Sequence, residues 1–463
     1  MTKNQKDLSM TATGITHQVQ SQYERHPYPG YPLWIPLRWQ DGYIGASAFS
    51  RHLCSEWLGN TSSSMQRPFL LAGCGDTQMA ILRNLEPASQ SMIGVDISPR
   101  NLRRTRLRMW HSLRPVELRE SDLQPYLTTC MSECFSHIDA YGVLHHLFDP
   151  SATLAEMARC LMPGGTMRLM VYNTPARQWI HGIQQVFRSM GLSFDDPAHV
   201  ATAQEFLQTW CHLSPALHQR CAAMGPFILR HKGRFVDTFL HAREARISPQ
   251  DWMQRLAHVG LTPAGILDRY GEWDAYPNPL WNCPPAEEME QRAMSGAFSH
   301  NLELFLCKRP GLTARMTSVP RSVLFSRLHL RTTPTLWFSF PETYALPLWQ
   351  RMSIWWRYLN EVYGGKRSKL SPHIPLSAAQ RLARLGAILP SGLSPVLRTS
   401  LEAPMHQKTH TPERMPAAKI PPHDMRFLLD KAEIILRNQK NLTPRRLFLL
   451  GKRIEAVQYL IEK

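Results

Sequence analysis

Two short segments carry residue types whose spacing suits a nucleotide-like cofactor. The run Phe69-Leu-Leu-Ala-Gly73-Cys-Gly75 joins an apolar stretch to two glycines, and Ile93-Gly-Val-Asp96 ends a second apolar stretch in an acid. Glycine permits a tight turn and a close backbone approach to a ligand where a strand meets a helix. An acid after the next strand suits two ribose hydroxyls. The alternative role for Asp96 is capping of the helix that follows it.

Alternating strands and helices must position these residues. Ser98-Pro99 predicts an N-cap with proline at the first helical position, and Pro163-Gly164-Gly165 predicts a turn after a helix. Such repeats predict a parallel sheet with helices on both faces. The pattern predicts strands at 69–72, 92–96, 116–119, 137–143, 166–172, 262–268 and 301–308, with helices near 77–85, 99–112, 151–161 and 248–260.

The glycine turn lacks one feature of a dinucleotide site. A third glycine would stand at position 77, where this chain has threonine. A pyrophosphate needs an open helix N-terminus, whereas a sulfonium cofactor carries no phosphate. Thr77 therefore counts modestly against NAD.

Five motifs in order resemble those of class I S-adenosylmethionine (SAM)-dependent methyltransferases. The resemblance implies an α/β fold, a Rossmann-like doubly wound sheet, here with a basic, mostly helical C-terminal extension. A bacterial branch of the family pairs Tyr-Glu-x-x-Pro-Tyr-Pro with Ala-Gly-Cys-Gly and Gly-Val-Leu-His-His, and this chain is similar at 23–29, 72–75 and 142–146. The five motifs lie at 69–78, 93–99, 121–123, 137–150 and 161–169.

The resemblance implies cofactor contacts residue by residue. Gly73 and Gly75 would contact the methionine moiety of SAM, Asp96 the ribose, and Asp122 the adenine amino group. Leu71 stands where the family often has an acid, and Thr77 stands where it usually has a glycine. These two departures leave open the alternative that the domain is a degenerate, non-catalytic copy. The full expected cofactor set is Ala72, Gly73, Cys74, Gly75, Asp96, Ile97, Asp122 and Leu123.

Residues after the fourth strand are expected to line the transfer site. His145 and His146 are candidate bases because imidazole titrates near neutrality, while the resemblance offers a structural role for the second histidine. Tyr141 joins them as a catalytic candidate, and no metal is expected. The expected acceptor-pocket residues are Tyr23, Tyr28 and Tyr172, with His241 and Glu244 in the insertion where such proteins recognise substrates.

The fourth strand does not end in an Asn/Asp-Pro-Pro-Tyr/Phe tetrapeptide. This argues against exocyclic amines of nucleobases as acceptors. A small-molecule acceptor is the main expectation.

The N-terminal region combines a polar segment with a proline- and aromatic-rich one. Residues 1–20 are polar and are expected to be frayed. Residues 21–34 hold closely spaced prolines, which favour an extended segment. That segment is interpreted either as a structural strap or as a lid over a pocket.

Composition and charge divide the chain. Of the net charge of +17, +15 lies in residues 310–463 and +2 in the rest. Nine scattered cysteines, no metal-type CxxC pair and no secretory h-region predict a cytoplasmic protein. The predicted divisions are a strap or lid at 1–66, a methyltransferase domain at 67–309, a basic proline- and aromatic-rich extension at 310–422, and a helical segment at 423–463.

The basic C-terminal third supports a second hypothesis. Arginines and lysines alternate there with tryptophans between Trp337 and Tyr363. Such a pattern suits nucleic acid or an anionic membrane surface, and equally a small aromatic core with a solvated basic face. The alternative function is therefore a non-catalytic or RNA-associated protein that binds through residues 311–463. The sequence leaves the oligomeric state open.

Overall fold

The computed structural model describes about three fifths of the chain. The predicted aromatic and basic segment between Trp337 and Tyr363 lies outside the described residues, as do Tyr31 and Trp34. The described residues are 12–30, 33, 67–85, 90–109, 116–224, 228–267, 285–294, 301–308, 420–439 and 441–462.

A seven-stranded sheet in the order β3-β2-β1-β4-β5-β7-β6 organises the fold. The first five strands pair in parallel, whereas β7 runs antiparallel to both β5 and β6. This order places the ends of β1, β2 and β4 side by side. The strands are β1 Phe69–Ala72, β2 Met92–Asp96, β3 Glu117–Glu120, β4 Phe135–Tyr141, β5 Leu161–Tyr172, β6 Thr262–Leu267 and β7 Asn301–Cys307.

Helices cover both faces of the sheet, as the doubly wound expectation requires. Phe69 and Leu71 of β1 belong to one buried apolar cluster, and Leu70 and Ala72 belong to another. Alternate side chains of a strand point to opposite faces, so both faces of β1 are buried. The Rossmann-like fold class is therefore confirmed.

The sequence correctly placed most boundaries near the sheet. Ser98 caps the helix that begins at Pro99 and accepts from the Asn101 N–H, as predicted. The turn predicted at Pro163-Gly164-Gly165 was wrong, since the helix ends at Cys160 and these residues lie inside β5. Gly164 has a φ of +73° and falls within a register shift between β4 and β5, so the glycines bend a strand and do not end a helix.

The helices follow the strands in chain order, with short 3-10 turns after β4 (Leu144–His146) and β5 (Pro175–Arg177). Several begin with a side-chain cap and a proline at the first helical position, such as Asp149-Pro150. The helices are α1 Ala12–Arg25, α2 Gln78–Leu85, α3 Pro99–Arg108, α4 Leu123–Thr129, α5 Pro150–Cys160, α6 Gln178–Ser189, α7 Pro197–Leu213, α8 Pro215–Ala223, α9 Lys232–Phe239, α10 Pro249–His258, α11 Ala286–Met294, α12 Pro422–Asn438 and α13 Pro444–Glu462.

The N-terminal helix α1 contradicts the expectation of frayed and extended residues. Ile15, Val19 and Gln22 are all buried, and their spacing gives the helix one continuous inward face. The prolines begin only at Pro27, so they end this helix and leave residues 26–30 as the non-helical part.

The two C-terminal helices share a core with α6 to α9. Side chains of α12 and α13, including Leu428, Leu436 and Val457, lie in the same buried cluster as Trp210 of α7. The Trp210 indole N–H donates to Gln458 Oε1 at 3.0 Å. The break between the two helices falls at the predicted Leu442-Thr-Pro444, and the helical part of the expected C-terminal extension is confirmed. The proposed domain divisions stay a prediction.

None of the helices in the described part of the chain is both long and apolar enough to cross a membrane.

The contact between α6 and α13 can be tested at Gly182. A Cβ on Gly182 would lie 2.3 Å from Val457 Cγ2, an overlap that outweighs the roughly 1 kcal/mol of helix propensity gained by alanine. We expect Gly182→Ala to lower the free energy of unfolding by about 1–2 kcal/mol in urea denaturation. Val457→Ala in the same chain should recover part of this loss, and strictly additive costs would contradict the contact.

Candidate active site

The turn after β1 is held in a conformation that requires glycine. Gly73 and Gly75 have φ values of +65° and +56°, a region that side chains with a Cβ rarely adopt. A Cβ on Gly73 would also lie 2.3 Å from Val143 Cγ2. The turn is therefore packed directly against the segment that follows β4.

Asp96 ties the turn after β1 to the turn after β2. Its Oδ2 accepts from the Gly75 N–H and its Oδ1 from the Ser98 N–H, both at 2.8 Å. Burial raises the pKa of Asp96 to about 6, even though these backbone N–H groups favour the charged form. The helix cap itself is Ser98, so Asp96 serves the two turns and is not the N-cap.

The two residues that depart from the family pattern, Leu71 and Thr77, are both buried. Leu71 is fully buried in the apolar cluster under α2 and α3, together with the thiol of Cys74. Thr77 is also buried. The acid of this turn is Asp76, which the sequence analysis did not single out and which pairs with Arg104 at 2.6 Å and Arg108 at 3.5 Å.

One face of α1 lies across the loops that follow β2 and β3. The Thr16 hydroxyl donates to Asp122 Oδ2 at 3.1 Å, and the Gln20 amide donates to the Ile97 carbonyl at 3.0 Å. Glu24 accepts from the Arg100 N–H at 2.9 Å. These three side chains are four residues apart, so a single helical stripe covers the loops expected to hold ribose and adenine. A cavity of about 480 Å³ opens beside them, lined by Thr16, Asp122, Gln124, Pro125, Thr128, Leu147, Phe148 and Thr153.

The segment after α1 lies over the glycine turn. The Tyr28 carbonyl oxygen is 3.5 Å from the position of a Cβ on Gly75. A Cβ on Gly233 would meet the Pro27 carbonyl at 2.7 Å. Residues 27–30 therefore bridge the turn after β1 and the start of α9.

Beyond this segment, aromatic, histidine and acidic side chains form a buried cluster, which we call the polar cluster. The His145 ring stacks on Tyr172 with centroids 3.7 Å apart, and the His146 ring stacks on His241 at the same separation. The Tyr23 hydroxyl donates to Asp237 Oδ1 at 3.1 Å and lies 3.3 Å from His241 Nε2. The cluster comprises Tyr23, His145, His146, Tyr172, Asp237 and His241, and thus joins α1, the ends of β4 and β5, and α9.

Backbone contacts of Arg243 assign the protons of two histidines. His146 Nδ1 lies 2.8 Å from the Arg243 carbonyl, so Nδ1 carries the proton. His241 Nδ1 accepts from the Arg243 N–H at 3.0 Å, so the proton of the neutral ring sits on Nε2, facing Tyr23.

This assignment weighs against a metal in the polar cluster. Among the described residues, one trio has donor atoms close enough for a metal, namely His146, Asp237 and His241 within 4.8 Å. Because His241 Nε2 bears a proton, it offers no lone pair to an ion. The trio fits a hydrogen-bond chain better than a metal site.

Burial sets the protonation of the polar cluster. It lowers the pKa of His146 to about 4 and the pKa values of His145 and His241 well below the usual range. It raises the pKa of Asp237 to about 7. At neutral pH the histidines are therefore uncharged, and Asp237 is near its midpoint.

An ion pair supports the cluster from behind Tyr172. The Arg177 guanidinium lies 3.5 Å from the centroid of the Tyr172 ring and makes two 3.0 Å hydrogen bonds to Glu244. Burial alone would raise the pKa of Glu244, but Arg177 and a hydrogen bond from His181 outweigh it and hold the pKa well below its usual range. The bidentate pair leaves no net charge beside Tyr172.

Tyr141 lies beside a buried ion network. The Arg168 guanidinium is 4.4 Å from the centroid of its ring, and this arginine bridges Asp139 of β4 and Glu303 of β7 in the interior of the sheet. Tyr141 thus marks the end of β4 at this network.

The structure brings together more residues than the sequence analysis selected. Tyr23, Tyr172, His145, His146 and His241 do meet, and the Tyr28 carbonyl lies near the Cβ position of Gly75. Asp237, Arg177 and the stripe on α1 were not predicted as site residues. The signal available for Asp237 was its i, i+4 spacing to His241, which is compatible with one helical face but not specific.

A protein-family model described as a methyltransferase domain matches residues 70–169. An uncharacterized protein of Synechococcus sp. is 30% identical over 261 residues, which are 55% of this chain and 61% of the relative. The chain thus spans less than two thirds of that relative's length. With the sheet order described above, residues 70–169 have the architecture of a class I methyltransferase domain.

Distantly similar solved structures include methyltransferases. PKMT2 from Rickettsia typhi, in complex with AdoHcy, has a TM-score of 0.39 and 14% identity, over 57% of this chain and 54% of that one. The plantazolicin methyltransferase BpumL, in complex with SAH, has a TM-score of 0.37 and 10% identity, over 64% and 97%. Geranyl diphosphate C-methyltransferase from Streptomyces coelicolor has a TM-score of 0.31 and 13% identity, over 56% and 78%.

The raised pKa of Asp237 predicts a pH-dependent stability. A carboxyl group whose folded pKa exceeds its unfolded value of about 3.9 stabilises the fold below that value. This contribution is lost as pH rises through about 7. We expect Asp237→Asn to be more stable relative to the parent at pH 8 than at pH 5, measured by urea denaturation at both pH values. The exposed Asp195→Asn is the control, and an equal pH response of the two variants would contradict the assignment.

Proposed function

We propose that this protein is a SAM-dependent methyltransferase that acts on a small-molecule acceptor. The observation that carries the proposal is the convergence of the glycine turn, Asp96 and Asp122 at one edge of a class I methyltransferase sheet. The family match over residues 70–169 supports the same activity. The Tyr-Glu-x-x-Pro-Tyr-Pro segment lies beside the turn, which supports the resemblance to the bacterial branch that carries this motif.

In this proposal each of the described loops binds a different part of the cofactor. The backbone at Ala72, Gly73, Cys74 and Gly75 accommodates the methionine moiety, where any larger residue at position 73 would meet Val143. Asp96 and Ile97 take the ribose side. Asp122 and Leu123 take the adenine, whose amino group would share or replace the hydrogen bond that Thr16 makes to Asp122.

The chain mainly has to orient and enclose the reactants. When bound, SAM supplies an electrophilic methyl group on a sulfonium, and transfer is an in-line displacement that depends on proximity. The α1 stripe and residues 27–30 cover the loops and exclude water. Tyr23, Tyr28 and Tyr172 line the acceptor side, beside His145.

The candidate catalytic residues differ in whether their polar atoms already have hydrogen-bond partners. His146 donates Nδ1–H to the Arg243 carbonyl, which suits a residue that positions the following loop. His145 is 1% exposed, and neither of its ring nitrogens has a hydrogen-bond partner among the residues that the structure describes. An unsatisfied buried imidazole is costly, so His145 is the better candidate for a polar contact to the acceptor. Tyr141 stays a proposal at the end of β4.

The comparisons do not favour the alternative, a non-catalytic or RNA-associated protein. Most of the basic residues on which it depends fall between 310 and 419, outside the described residues. A nucleic acid or membrane partner and a cytoplasmic location stay predictions.

Calorimetric titration with SAM and S-adenosylhomocysteine tests the proposed activity. We expect both to bind the parent and Gly73→Ala to abolish detectable binding, because its Cβ would displace Val143 and distort the turn. Gly260→Ala is the matched control, since Gly260 also has a positive φ (+72°) but no atom within 4 Å of its Cβ position. Absence of binding to the parent would refute the proposal.

A further inference from the structure

We propose that Asp237 is the general base that removes the proton of the methyl acceptor, so that the acceptor reacts through a protic oxygen or nitrogen group. This inference rests on the proposed methyltransferase function. It assigns the proton transfer to a residue of α9, outside the motifs of the class I fold.

The hydrogen bonds of His146 and His241 favour a carboxylate over these two histidines as the base. His241 presents a protonated Nε2 toward Tyr23 and therefore acts as a donor. His146 has its Nδ1 proton engaged by the Arg243 carbonyl, and burial lowers its pKa to about 4, which makes the ring a weak base at neutral pH. The ionised Asp237 carboxylate has no proton to donate and can only accept one.

Asp237 is held in place and is buried, but its side chain keeps a small exposed surface. The Tyr23 hydroxyl donates to Oδ1 and in turn faces the His241 Nε2–H, so the carboxylate is oriented by a short chain. The Asp237 side chain keeps 11% of its surface exposed, whereas the His241 side chain has none. A proton taken up by Asp237 can therefore leave to solvent.

Helix α1 connects Asp237 to the elements that carry the expected cofactor residues. Tyr23 and Glu24 are consecutive in α1. The Tyr23 hydroxyl donates to Asp237, and the Glu24 carboxylate accepts from the Arg100 N–H at the start of α3. The Tyr28 carbonyl oxygen lies 3.5 Å from the Cβ position of Gly75. The short segment 23–28 therefore reaches from Asp237 to the glycine turn.

The charges around Asp237 leave it as the group that titrates near neutral pH. Burial raises its pKa to about 7, while Tyr23, Arg177 and Arg234 lower it and Glu244 raises it. The Arg177–Glu244 pair carries no net charge, and the histidines are neutral. The groups that face Asp237 are Tyr23 from α1, Tyr172 from β5, Arg177 and Glu244 from the connecting segments, His146 after β4, and Arg234 and His241 on or after its own helix.

The step balances without a further reactant. The acceptor X–H attacks the sulfonium methyl carbon, and the C–S bond breaks with its electron pair remaining on sulfur. The X–H bond breaks, and its proton goes to the Asp237 carboxylate. The products are X–CH3, neutral S-adenosylhomocysteine and protonated Asp237. An acceptor that is already ionised would need no such base.

Sinefungin tests the position of the base without an acceptor. This cofactor analogue carries an amine where SAM carries its transferable methyl, and the amine is an ammonium between pH 6 and pH 8. An ionised Asp237 nearby should attract it, whereas S-adenosylhomocysteine has no such charge. We expect Asp237→Asn to lose about tenfold or more in sinefungin affinity with S-adenosylhomocysteine affinity unchanged. In the parent, the ratio of the two affinities should rise as pH increases through about 7.

The outcomes separate this inference from the proposed function. Asp195→Asn, an exposed acid, is the control and should leave both affinities unchanged. If sinefungin and S-adenosylhomocysteine bind the parent with a pH-independent ratio and Asp237→Asn does not change it, Asp237 is not the base and the methyltransferase proposal stands. If neither ligand binds the parent, the proposed function fails and the inference with it. The pH dependence in the parent decides the question even if the variant does not fold.

Discussion

The contact between Gly73 and Val143 constrains the whole candidate site. Because Val143 Cγ2 lies 2.3 Å from the position that a Cβ on residue 73 would take, the turn after β1 and the segment after β4 can pack this closely only with glycine at position 73. Asp96 then joins the turn after β2 to the same point through the Gly75 N–H. Three strand ends are thereby fixed relative to each other by one short contact and one carboxylate. His145 and His146 follow Val143 by two and three residues. The contact between Gly73 and Val143 therefore also positions these two histidines of the polar cluster.

Helix α1 connects two parts of the molecule that the sheet alone would leave separate. One stripe of side chains, from Thr16 to Glu24, reaches the loops after β2 and β3. The neighbouring face carries Gln22, which accepts from the Ala242 N–H at 2.7 Å, and Tyr23, which contacts Asp237. The same 14 residues therefore close the cofactor loops and complete the polar cluster. Loss of order in α1 would affect both at once.

The sequence allowed prediction of features that depend on neighbours along the chain. The strands, the Ser98-Pro99 cap and the glycine turn are set by local hydrophobic pattern, capping chemistry and φ preference. The polar cluster depends on contacts between residues far apart, such as Tyr23 and Asp237, which are separated by 214 positions. The N-terminal helix was missed because the prolines at 27–32 dominated the interpretation of residues just before them. The packing of α13 on α6 could not be predicted either, because the sequence of a helix does not identify the helix against which it packs.

Charge neutralisation explains why one acid in the polar cluster remains reactive. A buried guanidinium would be costly alone, and Glu244 neutralises Arg177 with two hydrogen bonds. Burial keeps the three histidines uncharged. The Asp237 carboxylate instead accepts a 3.1 Å hydrogen bond from the neutral Tyr23 hydroxyl. A neutral hydrogen bond compensates desolvation less than a cation does. The carboxylate is consequently left near its midpoint at neutral pH, which is the condition under which a group can both take up and release a proton in each cycle.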